Sequence, residues 1–154
     1  MSQQDGVVVD LRREELSRVA AIEALVFPEP LNREELEALW EMEGVRYLAI
    51  REGAALAAYF GFSVHGPIAH VISNATDPAF RRRGYGGRIL VEAEPFARAM
   101  GARWFLGEVR ASNGAQRSVL RRIGWQEIGR CPHFFGNGED AYVVFRCLPE
   151  EAKR

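Results

Sequence analysis

Two stretches of this chain carry residues whose type and spacing have chemical potential. The first is RRRGYGG, residues 81–87, in which three arginines run into Gly84, Gly86 and Gly87. A glycine-bearing turn that opens a helix presents unpaired backbone N–H groups, and the helix dipole adds partial positive charge at the same place. Glycine lets such a backbone come close to a ligand. Arg81, Arg82 and Arg83 would add full charges, so the chemistry on offer is the binding of a phosphate or diphosphate. The competing reading is a solvated arginine run on a tight turn, and this segment alone does not separate the two. It lacks both the lysine followed by Ser or Thr of a P-loop and G-x-G-x-x-G spacing, which disfavours a nucleoside triphosphatase.

The second stretch is LGEVRASNGAQRSVLRRIGWQEIG, residues 106–129. Glu108 lies in an otherwise apolar strand. A carboxylate there is costly unless paired or tuned, and burial raises a carboxyl pKa toward the value that a general base needs. Arg110 offers a structural alternative, because alternate residues of a strand share a face and the two would form an ion pair. Asn113 is a candidate helix N-cap just beyond. His133, in CPHFFGNGED, is a further titratable group.

The elements that must hold these groups follow from hydrophobic periodicity. Val7, Val8 and Val9 read as a first strand. Leu16, Val19, Ile22 and Phe27, with Leu25 beside them, recur at helical spacing, and Pro28 and Pro30 stop that helix. Asn32 followed by Glu35 is a capping-box start for a second helix with Leu36, Leu39 and Trp40. Residues 47–50 and 54–64, joined by Glu52 and Gly53, predict an antiparallel hairpin. Gly66 and Pro67 close it, and residues 68–76 resume as a strand ended by Asp77 and Pro78. A helix over 87–100 follows, with a bend or break expected at Pro95 and a stop at Gly101. Strand 104–109, a short helix from Asn113 to Gly124, and strands 125–128 and 141–148 complete the order. This is an α/β pattern: a mixed sheet with helices on both faces and a parallel strand pair on either side of the helix at 87–100.

Composition bounds the function. The 154 residues are 47% apolar and 27% charged with a formal net charge of −1, which fits a globular protein and gives no electrostatic reason to expect nucleic acid or membrane as partner. Cys131 and Cys147 have no His or Cys at metal-ligand spacing, so neither a disulfide framework nor a metal site is expected. The stretch MSQQDGVVVDLRREEL lacks the apolar run of a signal peptide, and a cytoplasmic location is the expectation. One domain over 7–148, with tails at 1–6 and 149–154, is predicted.

Arg81-x-x-Gly84-x-Gly86 resembles the Q/R-x-x-G-x-G/A motif of the GCN5-related N-acetyltransferases. EVRASN, followed by a short helix and the pair Gly124 and Trp125, looks like the RimI-type ribosomal-protein alanine N-acetyltransferases of that superfamily. The resemblance runs ungapped from about residue 74 to 129 and more loosely over 7–148. It implies the family fold, in which the parallel pair splays apart, and acetyl-CoA as co-substrate without a metal. Backbone groups of Asn74, Ala75 and Thr76 would pair with the pantetheine arm. Amides at Arg82, Arg83, Gly84, Tyr85, Gly86 and Gly87 would hold the diphosphate, with Arg81 opening the motif. Asn113 matches a cofactor-contacting position, although a plain helix cap explains it as well.

By the same resemblance, Glu108 is the general base that takes the proton of an attacking amine. A free α-amino group, with a reference pKa of about 7.7–8.0, is far easier to deprotonate than lysine at about 10.4. The implied acceptor is therefore a protein or peptide N-terminus, with a small-molecule amine as the alternative. The chain departs from the pattern at Leu120, where the RimI type has a tyrosine acting as general acid. That departure motivates a third reading, a non-catalytic acyl-CoA-binding sensor. His133 falls in the substrate-facing loop, as a replacement acid or base or a substrate contact. Phe134 and Phe135 stand where the family commonly has tyrosines. Tyr85 reads as packing, and the oligomeric state stays open.

Overall fold

The structure, a computed structural model, describes residues 5–150. The outer parts of both expected tails, 1–4 and 151–154, lie outside the described residues. In chain order the elements are β1 (Val8–Asp10), α1 (Leu16–Val26), α2 (Arg33–Trp40), β2 (Val45–Glu52), β3 (Ala55–His65), β4 (Ile68–Thr76), α3 (Tyr85–Glu92), α4 (Glu94–Ala99), β5 (Trp104–Arg110), α5 (Gly114–Arg122), β6 (Gln126–Cys131) and β7 (Ala141–Cys147). The strands form a mixed seven-stranded sheet in the order β1-β2-β3-β4-β5-β7-β6. Pairings β1–β2, β2–β3, β5–β7 and β6–β7 are antiparallel, and β4–β5 is parallel. The chain divides into two compact units, Met1–Ser63 with Ile72–Ala93, and Val64–Val71 with Glu94–Arg154.

In the first unit, Leu16, Val19 and Ile22 form the buried stripe of α1 and pack with Leu36 of α2, Tyr47 and Ala49 of β2, and Leu56 and Tyr59 of β3. The stripe obeys the i, i+3 rule of an amphipathic helix. Phe27 is not part of it: its backbone is extended (φ −113°, ψ 140°), because the chain leaves the helix one residue before Pro28. Leu25 is 65% exposed. The expected capping box of α2 is present, with Glu35 N–H donating to Asn32 Oδ1 (2.8 Å) and Asn32 N–H donating to Glu35 Oε1 (3.1 Å). Gly53, at φ +59°, makes the turn of the β2–β3 hairpin. Asp5 and Gly6 already pair with β2, since Gly6 N–H donates to Arg51 C=O (2.9 Å).

The helix expected over 87–100 begins earlier, at Tyr85, and is broken as anticipated near Pro95, into α3 and α4. Proline has no N–H to donate, so it is tolerated only in the first turn of the second piece. Gly101, at φ +99°, ends α4.

In the second unit, Phe105 of β5 stacks on Trp125 at 5.5 Å between ring centroids, and Val109, Leu120, Ala141 and Val144 are buried. The burial of β5 alternates strictly, which places Trp104, Leu106, Glu108 and Arg110 on the partly exposed face.

Candidate active site

Gly84 determines the geometry of the arginine-glycine turn. A short 3₁₀ turn, Pro78–Phe80, is capped by Asp77, whose Oδ1 accepts from Ala79 N–H (2.9 Å). The chain then reaches Gly84 in the left-handed region (φ 76°, ψ 10°), which a residue with a side chain rarely adopts. From there α3 starts, and its first helical bond runs from Arg88 N–H to Gly84 C=O (3.1 Å). The amides of Tyr85, Gly86 and Gly87 precede that bond and have no partner within the helix. A Cβ on Gly86 would stand 3.5 Å from Thr76 Oγ1, an ordinary contact.

The arginines divide. Arg83 pairs with Glu52 and lies over the Phe80 ring at 5.2 Å, while Arg81 and Arg82 are exposed. The Tyr85 hydroxyl also donates to Glu52, and the ring is 9% exposed, which is the packing role expected of it.

Asn74, Ala75 and Thr76 end β4. Every residue from His70 to Thr76 is partly exposed, although β4 stands fourth of seven in the sheet order. An interior strand of a packed sheet is normally covered. The parallel ladder comprises the register pairs Ile68–Trp104, Ala69–Phe105 and His70–Leu106, and both strands continue past it.

Glu108 projects from the partly exposed face of β5 with its side chain 19% exposed. Its carboxylate faces the imidazole of His70, with Nε2 at 2.8 Å from Oε1 and 2.9 Å from Oε2. The bond to Glu108 raises the His70 pKa above its ordinary value, against the opposing effect of partial burial. Arg110, the alternative partner, donates to Glu139 Oε2 (3.2 Å) and Asn137 Oδ1 (3.1 Å) and covers the Phe135 ring at 4.0 Å. His70 was missed from sequence, where residues 68–76 read only as a strand. The signal lay in the register: Glu108 follows the His70 partner Leu106 by two residues and therefore shares its face. A parallel pair joined by a long crossover has no tight turn to announce that register.

Asn113 is the N-cap of α5, its Oδ1 accepting from Gln116 N–H (3.2 Å). Leu120 is 4% exposed, so the position lacking the tyrosine is filled by packing. His133 is exposed with φ +54°; its N–H donates to Asp140 Oδ1 (2.9 Å) and its Nδ1 lies 3.1 Å from Gly138 C=O. Those bonds brace the loop between β6 and β7. Phe134 and Phe135 meet edge to face at 5.0 Å.

A second carboxylate was also missed. Glu23 of α1 is 2% exposed and accepts from the hydroxyls of Tyr59 and Ser73 and from Leu31 N–H (2.9 Å). Among the described residues no cluster of metal-ligating side chains occurs, and no helix is long and apolar enough to cross a membrane.

The sequence profile of the Acetyltransferase (GNAT) family matches residues 16–125, and the chain belongs to that family. It is an N-acetyltransferase of this class, with the family's fold. Among individual proteins, it is 33% identical over 148 residues to the N-alpha-acetyltransferase RimI of Mycobacterium tuberculosis, spanning 88% of this chain and 89% of that one. The crystal structure of the ribosomal-protein-S18-alanine N-acetyltransferase from Escherichia coli superposes with a TM-score of 0.83 at 21% identity, over 96% of each chain. The yncA protein of Salmonella typhimurium, solved with its cofactor acetyl-CoA, superposes with a TM-score of 0.78 at 18% identity, over 96% of each chain.

Proposed function

We propose that the chain transfers the acetyl group of acetyl-CoA to a protein or peptide N-terminal α-amine. The observation that carries the reading is the start of α3. Gly84 in its left-handed conformation delivers three amides, those of Tyr85, Gly86 and Gly87, ahead of the first helical bond, which is what a diphosphate requires. Arg81 and Arg82 supply charge, and the backbone of Asn74, Ala75 and Thr76 pairs with the pantetheine arm. Arg83, engaged by Glu52, contributes chiefly its amide. Asn113 caps α5 with its Oδ1 and has its amide nitrogen to offer the cofactor.

Transfer is direct. Glu108 takes a proton from the ammonium, the free amine attacks the thioester carbonyl, and the tetrahedral intermediate collapses with loss of the thiolate while the second proton of the former amine passes to water. A strand amide near Thr76 polarises the carbonyl. With leucine at 120 the thiolate leaves without a protein acid, which a thiol of pKa about 8.5 tolerates. The names of the relatives favour an α-amine, and an alanine N-terminus in particular.

The test is thiol release from acetyl-CoA with alanine-initiated peptides, lysine-containing blocked peptides and small amines side by side. Turnover confined to the free N-termini supports the reading; turnover confined to small amines replaces it with the small-molecule alternative. Gly86→Asp, whose Cβ meets only an ordinary contact with Thr76, sets a carboxylate against the phosphates. Calorimetry should show acetyl-CoA affinity falling at least about 10-fold, and unchanged affinity would remove the turn from the site.

A further inference from the structure

The imidazole of His70 has no part in the reaction as described so far, yet it faces both oxygens of Glu108. Its Nε2 is 2.8 Å from one and 2.9 Å from the other, so a hydrogen on Nε2 points between them and the carboxylate accepts. A glutamate side chain has three rotatable torsions, and a donor spanning both oxygens fixes the plane of its carboxylate. The backbones beneath are tightly set. His70 is in register with Leu106, and a Cβ on Gly107 would come within 3.2 Å of the Val71 side chain, so the two strands pack closely there.

We propose that His70 is a positioning residue that aims Glu108 for proton transfer and, through its own protonation, sets the acid limit of activity. The inference rests on the reading that Glu108 receives the amine proton. In that step the ammonium N–H bond breaks, the proton passes to a Glu108 oxygen, and the electron pair stays on nitrogen for attack. His70 keeps its Nε2 hydrogen throughout. Neutral His70 orients the carboxylate and leaves its charge uncompensated. Protonated His70 pairs with that charge and leaves less of it to attract the substrate's ammonium.

The switch lies above the ordinary histidine value because the bond to Glu108 favours the imidazolium. Val143 of β7 stands opposite Glu108, and Ile68 and Ile72 flank His70 on its own face of β4. Arg110, on the same face of β5, is engaged by Glu139.

The experiment is the pH profile of kcat with acetyl-CoA and an alanine-initiated peptide, over about pH 5.5 to 9, for the wild type, His70→Ala, His70→Gln and Glu108→Gln. Acetyl-CoA affinity serves as the check on folding. His70→Ala should lower kcat between about 10- and 100-fold, the scale of a misaimed catalytic group. His70→Gln retains an N–H donor and should recover most of that loss, with its acid limb moved to lower pH because the amide does not titrate. Wild-type kcat and an unmoved limb in both His70 variants, with Glu108→Gln inactive, would overturn this inference alone. Wild-type turnover in Glu108→Gln would overturn the role of Glu108 itself. Should His70→Ala lose acetyl-CoA binding through misfolding, the limb of His70→Gln decides.

Discussion

Glu23 and Glu108 are both carboxylates set among apolar neighbours, and their surroundings are built to opposite ends. Glu23 is 2% exposed and accepts three hydrogen bonds, from the Tyr59 and Ser73 hydroxyls and the Leu31 amide. It ties α1 to β3, to β4 and to the chain that leads into α2. Burial, with Glu23 beside it, pushes the Tyr59 pKa well up, so that hydroxyl remains a donor at any ordinary pH. Glu108 keeps 19% of its side chain exposed and faces a single imidazole nitrogen, which leaves lone pairs for a proton. A buried carboxylate held by three donors from different segments is a structural fastener, and a part-exposed one facing a single donor is equipped for proton transfer.

Substitution at each residue breaks the comparison in a different observable. The largest effect is expected at Glu108→Gln, which should lower kcat by about 10² to 10⁴ while the melting temperature and acetyl-CoA affinity stay near wild type. A variant that instead unfolds early would make Glu108 a fastener too. Glu23→Ala should do the reverse. Stranding the buried Tyr59 hydroxyl and the part-buried Ser73 hydroxyl and Leu31 amide costs about 3 kcal/mol, a Tm drop on the order of 10 °C for a chain of this length. Scanning calorimetry would measure it, and an unshifted Tm would refute the structural role. Glu23→Gln retains a carbonyl oxygen and should cost about 1 kcal/mol.

A smaller effect sharpens the contrast through pH. The His70 pKa is raised above 6.5 in the folded chain by its bond to Glu108. That pair therefore contributes stability in full below the unfolded value, and the contribution is lost as pH rises through the folded value. Denaturant unfolding of the wild type and His70→Gln should differ most near about pH 5.5 and converge by about pH 8.5. A gap that widens with pH would reverse the assignment. The smallest effect belongs to His133, whose contacts brace a loop. His133→Ala should leave the pH–rate profile unmoved, and a displaced limb would bring that residue back into the chemistry.

Much of this architecture was written locally. Asn32 and Glu35 specify a helix start, Gly53 a hairpin turn, Pro95 a break and Gly84 the entry to a helix whose leading amides are open. Each follows from backbone preferences and neighbours within a few residues, so each is readable from the chain alone. Glu108 was legible as a carboxylate within an apolar strand, but its half-exposed face was not, because the apolar Trp104 and Leu106 share that face and hide the alternation. Nor was its partner. Which side chain meets Glu108, and which residues fill the acceptors of Glu23, depend on contacts between segments tens of residues apart and on a parallel register that no tight turn encodes. Folding alone brought His70 rather than the nearer-in-sequence Arg110 up to both carboxylate oxygens, and turned Arg110 to Glu139. Elements are set by short-range energetics; the partners of a buried charge are set by whichever donors the packed backbones carry within reach.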